Sequence, residues 1–250
     1  MSRKNNKPHI ICITGTDTDA GKTLVTAGLL RAINGLGKPV QAIKAVQTGC
    51  ISSENGLTAP DVAIYRRAAP GACCMALATF IEPCSPHLAA SLEGKELKLA
   101  SLLDRIQAEA ASFDGLTLLE GAGGLLVPLN ERECFIDLFE RLGAPIVLVA
   151  PNRLGTINHS LLSLEAIRAR SLEIQAVVLS KTEDQHSPSP LARQMEKDTP
   201  AIISKLAKIP RPVCLPYFQG IHSSGQEQAT EAWNDVCEHL LPTAKAICGI

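Results

Sequence analysis

Aromatic side chains are scarce: five Phe, two Tyr and one Trp make up 3% of 250 residues. A core of ordinary size must then be built from Leu, Ile, Val and Ala, which favours an α/β design around a buried parallel sheet. Net charge is also nearly absent, at −1, so no basic surface argues for nucleic acid or an acidic membrane. No apolar stretch reaches the length of a membrane span. The polar start "MSRKNNKPH", expected to be disordered over residues 1–8, runs into "IICITG" without a small-residue cleavage site, so that segment reads as a strand rather than a signal sequence. A cytoplasmic location is expected. Nine cysteines are present, but without metal-ligand spacing, and reduced thiols acting as small apolar residues account for them.

What is present is alternation. Strands are expected at "HIICITG", "VQAIKAV", "LTLLE", "PIVLVA", "IQAVVLS" and "PVCLP". Helices are expected at "GKTLVTAGLLRAINGLG", "PDVAIYRRAA", "PHLAASLEG", "KLASLLDRIQAEAASF", "FIDLFERLG", "TINHSLLSLEAIRARS", "PLARQMEKDTPAIISKL" and "EQATEAWNDVCEHLL". Strands alternating with helices imply right-handed βαβ units, a parallel sheet and helices on both faces. The loop "EDQHSPSP" at 183–190 does not break the alternation, so one domain over 1–250 is expected.

At the junction of the first strand and helix stands "GTDTDAGKT". A phosphate needs converging backbone N–H groups at a helix N-terminus and a cation. Gly21, Lys22 and Thr23 stand where these belong, with Lys22 for the β- and γ-phosphates and the Thr23 hydroxyl for Mg²⁺. The loop departs from the usual spacing, because Thr16 replaces the first glycine. Thr16 serves if that position does not need a left-handed backbone.

Glu120 ends a strand and precedes "GAGG". Ligands gather at the carboxyl ends of parallel strands, so this acid is a candidate Mg²⁺ ligand. Asp61, read alone, is accounted for as an acid in the first turn of a helix. Lys44 lies inside an apolar strand. It is either a second cation near the phosphate or an outward lysine on an edge strand.

These residues resemble a known family. "GTDTDAGKT", "IKAVQTG", "PDVA", "EPCSPHLAA", "LLEGAGGLLVPL" and "NRLGTINHSLLS" occur in the order seen in the dethiobiotin synthetases, over about residues 9–220. The odd loop spacing is that family's own. The resemblance implies a P-loop fold and the ATP-dependent conversion of 7,8-diaminopelargonate and CO₂ to dethiobiotin. The route runs through a carbamate and a carbamic-phosphoric anhydride. It implies that Lys22 and Lys44 are catalytic and that Thr23, Asp61 and Glu120 hold Mg²⁺. It implies that Asp19, Ala20, Leu24, Gly121, Ala122, Gly123, Ser180, Pro216, Tyr217 and Phe218 join Gly21–Thr23 around ATP. Thr18 and Thr48 would meet the carbamate or an amine. Leu154, Gly155, Thr156 and Asn158 would grip the substrate carboxylate across a homodimer interface, although helix capping also accounts for Thr156 and Asn158. His87 is expected to be structural, near the substrate. The match fails at Ser180 and Lys181, where the family carries an Asn that bonds adenine. A hydroxyl cannot reproduce an amide's paired donor and acceptor. Two rivals fit less well: a cobyrinate-type amidase needs a further glutaminase domain, and a ParA/MinD-type switch carries a second lysine within the loop.

Overall fold

The computed structural model describes residues 9–54, 56–183, 189–221 and 226–250; the expected disorder at 1–8 and most of the loop at 183–190 lie outside them. In chain order the elements are β1 (His9–Gly15), α1 (Lys22–Gly35), β2 (Val40–Gln47), β3 (Ile51–Ser53), β4 (Gly56–Thr58) and α2 (Pro60–Ala68). Then come β5 (Cys73–Thr79), α3 (Pro86–Leu92), α4 (Leu99–Ser112), β6 (Leu116–Gly124), α5 (Phe135–Leu142) and β7 (Ile146–Pro151). The chain continues through α6 (Thr156–Ala169), β8 (Ile174–Ser180), α7 (Pro190–Ala207), β9 (Val213–Leu215) and α8 (Gln226–Cys248).

Seven strands form one sheet in the order β5-β2-β6-β1-β7-β8-β9, and every pairing in it is parallel. Side chains alternate across it, as a pleated strand requires. Ile11, Ile13, Val147 and Val149 pack with Leu29, Leu30 and Trp233 of α1 and α8. Ile10, Cys12, Ile146 and Leu148 pack with Ile106, Phe135 and Leu164 of the opposite helices. Both faces are covered, so β7 is buried along its whole length. This is the expected α/β architecture.

Three strands were not legible in the sequence. The edge strand β5, "CCMALAT", has one β-branched residue, Thr79, and therefore no strand signature. The two three-residue strands β3 and β4 form a small antiparallel hairpin. Helix α8 also runs past the expected end at Leu241, through Pro242, to Cys248.

Candidate active site

Strand register builds the centre of the site. Lys44 and Glu120 are direct partners across the parallel pair β2 and β6, and Glu120 is in turn opposite Ile13 of β1. Residues opposite in register point to the same face. Here that is the face where α1 begins. β2 is an internal strand, so the edge-strand reading of Lys44 fails. Its Nζ lies 2.6 Å from Glu120 Oε1 and 2.6 Å from Asp61 Oδ2. Burial opposes the Lys44 charge, but Glu120 and then Asp61 outweigh it and hold the ammonium above its ordinary value.

Glu120 is fully buried, and both of its oxygens are engaged. Oε1 faces Lys44 and the Thr23 hydroxyl at 3.2 Å. Oε2 accepts from the Tyr65 hydroxyl at 2.5 Å and from the Thr26 hydroxyl at 2.6 Å. Burial, then the Glu120 charge, pushes the Tyr65 phenol well above its ordinary range, so it remains a donor. Neither Tyr65 nor Thr26 was flagged by the sequence reading. A signal existed: Tyr65 lies one helical turn after Asp61, and a buried tyrosine hydroxyl needs a partner.

The loop between β1 and α1 is held by its backbone. Gly21 has φ 95°, and a Cβ there would sit 2.8 Å from Ser180 Oγ. A Cβ on Gly15 would meet the Asp17 carbonyl oxygen at 2.6 Å. In this loop the left-handed residues are Asp19 and Gly21; Thr16 is not among them, which meets the condition set for replacing glycine. Lys22 Nζ donates to the Asp17 carbonyl at 2.9 Å. Burial pushes the Lys22 ammonium below its ordinary value, and Glu120 offsets this only in part.

Thr18, Asp19, Gly21, Lys22, Thr23, Lys44, Thr48, Asp61, Ala122 and Gly123 line one cavity of about 650 Å³. Gln47, Cys84 and Pro86 also line it, and Gln47 Oε1 accepts from the Asp61 backbone N–H. Ala20 is buried, Leu24 half-buried, and Gly121 packs against Phe135 and Phe139. The available metal donors are one hydroxyl, Thr23, and two carboxylates, Asp61 and Glu120. These hard oxygens fit Mg²⁺, which keeps water and phosphate as its other ligands. Among the described residues no group of three or more His, Cys, Asp or Glu could cage a softer metal.

Other expected residues lie elsewhere. Ser180 is fully buried with its Oγ unpartnered, tucked beneath Gly21. Its side chain supports the loop and does not face open space. Lys181 fronts a separate cavity with Pro216, its ammonium 2.5 Å from Glu196. Pro216 and Tyr217 are exposed, and the Phe218 ring meets His239 edge-on at 5.5 Å. His87 lines a different cavity, with Lys98 and Asn130. At the start of α6 the helix is capped by Gly155 without any side-chain hydrogen bond, so capping does not account for Thr156 and Asn158. Thr156 is buried with its Oγ1 unpartnered, whereas Leu154, Gly155 and Asn158 are exposed.

Comparison with known proteins gives a consistent picture. Residues 9–224 match the AAA domain family. Septum site-determining protein MinD in complex with Mg-ADP from Pyrococcus horikoshii superposes with a TM-score of 0.59 at 16% identity, covering 95% of this chain and 94% of that one. A ParA family ATPase from Chlorobium tepidum gives 0.57 at 11% identity, covering 96% and 98%. At these identities the likeness concerns the fold alone. ATP-dependent dethiobiotin synthetase BioD of Halalkalibacterium halodurans is 36% identical over 214 residues, which is 84% of this chain and 86% of the relative. The enzyme of the same name from Anaeromyxobacter dehalogenans is 40% identical over 182 residues, 71% of this chain and 78% of the relative. Identity of this depth across most of both chains, on a P-loop sheet with the ordered motifs in place, shows that the chain belongs to the ATP-dependent dethiobiotin synthetase family.

Proposed function

We infer that the chain catalyses the ATP-dependent closure of a cyclic urea, converting 7,8-diaminopelargonate and CO₂ to dethiobiotin, ADP and phosphate. The observation that carries this reading is the buried Lys44 beside Asp61 and Glu120 at the phosphate loop. A nucleotide loop already has its cation in Lys22. A second ammonium, buried and lining the same cavity, suits an acceptor that is itself anionic.

The steps balance as follows. One substrate amine attacks CO₂ and loses a proton, giving a carbamate. A carbamate oxygen attacks the γ-phosphorus as the bond to ADP breaks, giving a carbamic-phosphoric anhydride. The second amine attacks the carbonyl carbon, loses a proton and expels phosphate. Phosphoryl transfer of this kind depends on positioning and charge neutralisation. Lys22 and the loop N–H groups hold the terminal phosphate, and Lys44 holds the carbamate oxygen beside it. Thr18 and Thr48, on the wall of the same cavity, supply hydrogen bonds to the carbamate or an amine. When bound by Thr23, Asp61 and Glu120, Mg²⁺ supplies further neutralisation of the triphosphate. Around the nucleotide, the base lies toward Lys181 and Pro216–Phe218.

A homodimer is part of the proposal. Leu126, Leu154 and Leu162 are 66%, 87% and 57% exposed, and Leu126 and Leu162 line a shallow apolar cavity with Thr18. Large exposed leucines beside a site suit an interface. Leu154, Gly155 and Asn158 of a second copy would then meet the substrate carboxylate. Free cysteines throughout suit a cytoplasmic location.

Incubation with 7,8-diaminopelargonate, labelled bicarbonate, Mg²⁺ and ATP tests the function. Labelled dethiobiotin is expected. ATP turnover independent of the diamine would defeat the reading.

A further inference from the structure

We propose that Tyr65 and Thr26 are positioning residues that restrict Glu120 to one metal-facing oxygen and so make the site select Mg²⁺ over Ca²⁺. This rests on the reading of Glu120 as a metal ligand. The two hydroxyls lie 2.5 and 2.6 Å from Oε2, one from α2 and one from α1. A carboxylate oxygen offers two lone-pair directions, and both are taken. Thr26 also lies 2.9 Å from the Lys22 carbonyl, but it has one proton, and the shorter contact to a charged acceptor holds it. Only Oε1 then faces Thr23 and Asp61; Lys44 holds one of its directions at 2.6 Å, and a metal would take the one that the Thr23 hydroxyl holds at 3.2 Å.

Mg²⁺ demands octahedral geometry with one oxygen per carboxylate. Ca²⁺ takes more ligands at longer distances and readily accepts both oxygens of one carboxylate. For Glu120 to chelate with both, Oε2 would have to leave the fully buried Tyr65 hydroxyl without an acceptor and give up the Thr26 hydroxyl to the Lys22 carbonyl. The clamp therefore leaves single-oxygen ligation undisturbed and penalises chelation. Tyr65 is the cleaner half of it, because its hydroxyl serves Glu120 alone among the described side-chain hydrogen bonds.

The test measures displacement of protein-bound Mn²⁺, followed by electron paramagnetic resonance with ADP present, by Mg²⁺ and by Ca²⁺. Wild type, Tyr65→Phe, Thr26→Val and the double variant are compared, with melting temperatures in chelator. The Mg²⁺-to-Ca²⁺ preference is expected to fall about tenfold in the double variant, the scale of an outer-shell ligand partner. Thr26→Ser should restore it. A preference unchanged in all variants, even with a lowered melting temperature, makes the hydroxyls packing groups and overturns the proposal. Should Tyr65→Phe fail to fold, Thr26→Val and Thr26→Ser decide it alone. Glu120→Gln separates the two layers: loss of Mn²⁺ affinity supports Glu120 as a ligand, whereas wild-type affinity in that variant overturns the underlying reading itself.

Discussion

Lys44 and Glu120 stand opposite each other on adjacent parallel strands, and their charged ends meet at 2.6 Å with Asp61 closing the group from α2. The pair is almost completely shielded from water, with side-chain exposures of 4% and 0%. One buried ammonium thus balances two carboxylates. Replacing Lys44 by Met keeps the chain length and leaves two acids unpaired. Breaking a buried pair in this way costs about 3–5 kcal/mol. The melting temperature should drop in chelator and recover in part when Mg²⁺ is added, because the metal supplies the missing positive charge. The same change should lower kcat/KM by about 10²–10³-fold, the scale of losing one preorganised charge at a reacting centre. A variant with wild-type kcat/KM would remove Lys44 from the chemistry.

Base selection should be loose. The position at which the sequence resemblance leads one to expect an adenine-binding amide is here Ser180, closed off beneath Gly21, and the next side chain, Lys181, is tied to Glu196. Neither of these two side chains offers adenine a matched donor and acceptor. The kcat/KM values for ATP, CTP and GTP should lie within about a hundredfold of one another, the range that shape alone supplies, rather than the far larger ratio of a dedicated hydrogen-bonded site. Steady-state kinetics with the three nucleotides decides it. A preference for ATP of many thousandfold would point to recognition by other groups.

How much of this was readable beforehand depends on distance along the chain. Gly21, Lys22 and Thr23 are contiguous, so motif and helix start reveal them together. Lys44 and Glu120 are 76 residues apart, and their contact depends on the register of β2 against β6, which no local pattern encodes. Periodicity therefore left Lys44 open between an edge lysine and a functional one, and only the family resemblance made it functional. Tyr65 was missed because its role exists only once α2 packs beside α1 and over β2, which brings its hydroxyl to Glu120. Ser180 was placed at the base by likeness, but burial against Gly21 is a property of packing. The strand β5 escaped because its cysteines, alanines, leucine and methionine carry neither β-branching nor alternation.

The adjacent cysteines should differ in reactivity. Cys73 is exposed at the start of β5, while Cys74 is buried, and burial pushes its thiol up to about 11. The thiolate is the reactive form. In mildly alkaline buffer iodoacetamide should label Cys73 and spare Cys74, as read by fragmentation of the peptide that carries both. A thiol raised in the folded state contributes stability that is complete below the ordinary thiol value, and this stability is lost as pH rises through about 11. Cys74→Ala should therefore flatten the alkaline fall in stability across that window. Equal labelling of both thiols in the folded protein would contradict the burial.

A shared site makes a prediction that single variants cannot. If the start of α6 serves the neighbouring copy, each site takes Lys44 from one subunit and Asn158 from the other. Lys44→Met and Asn158→Asp should each be nearly inactive, the second because a carboxylate there repels the substrate's own. In a heterodimer of the two, one site receives both defects and the other receives none. Co-expression with different affinity tags and sequential purification isolates that species. Its activity per dimer should be about half that of wild type, since one of two symmetric sites is intact. A structural role confined to one subunit gives the opposite result, because every site in the heterodimer would then carry one defect. Sedimentation of the wild type should show the dimer, and Leu162→Lys, a charge set on the exposed apolar surface beside Leu126, should shift it to monomer and lower activity with it. A heterodimer as inactive as its parents would assign Asn158 to the subunit that carries it, and the substrate carboxylate would need another partner.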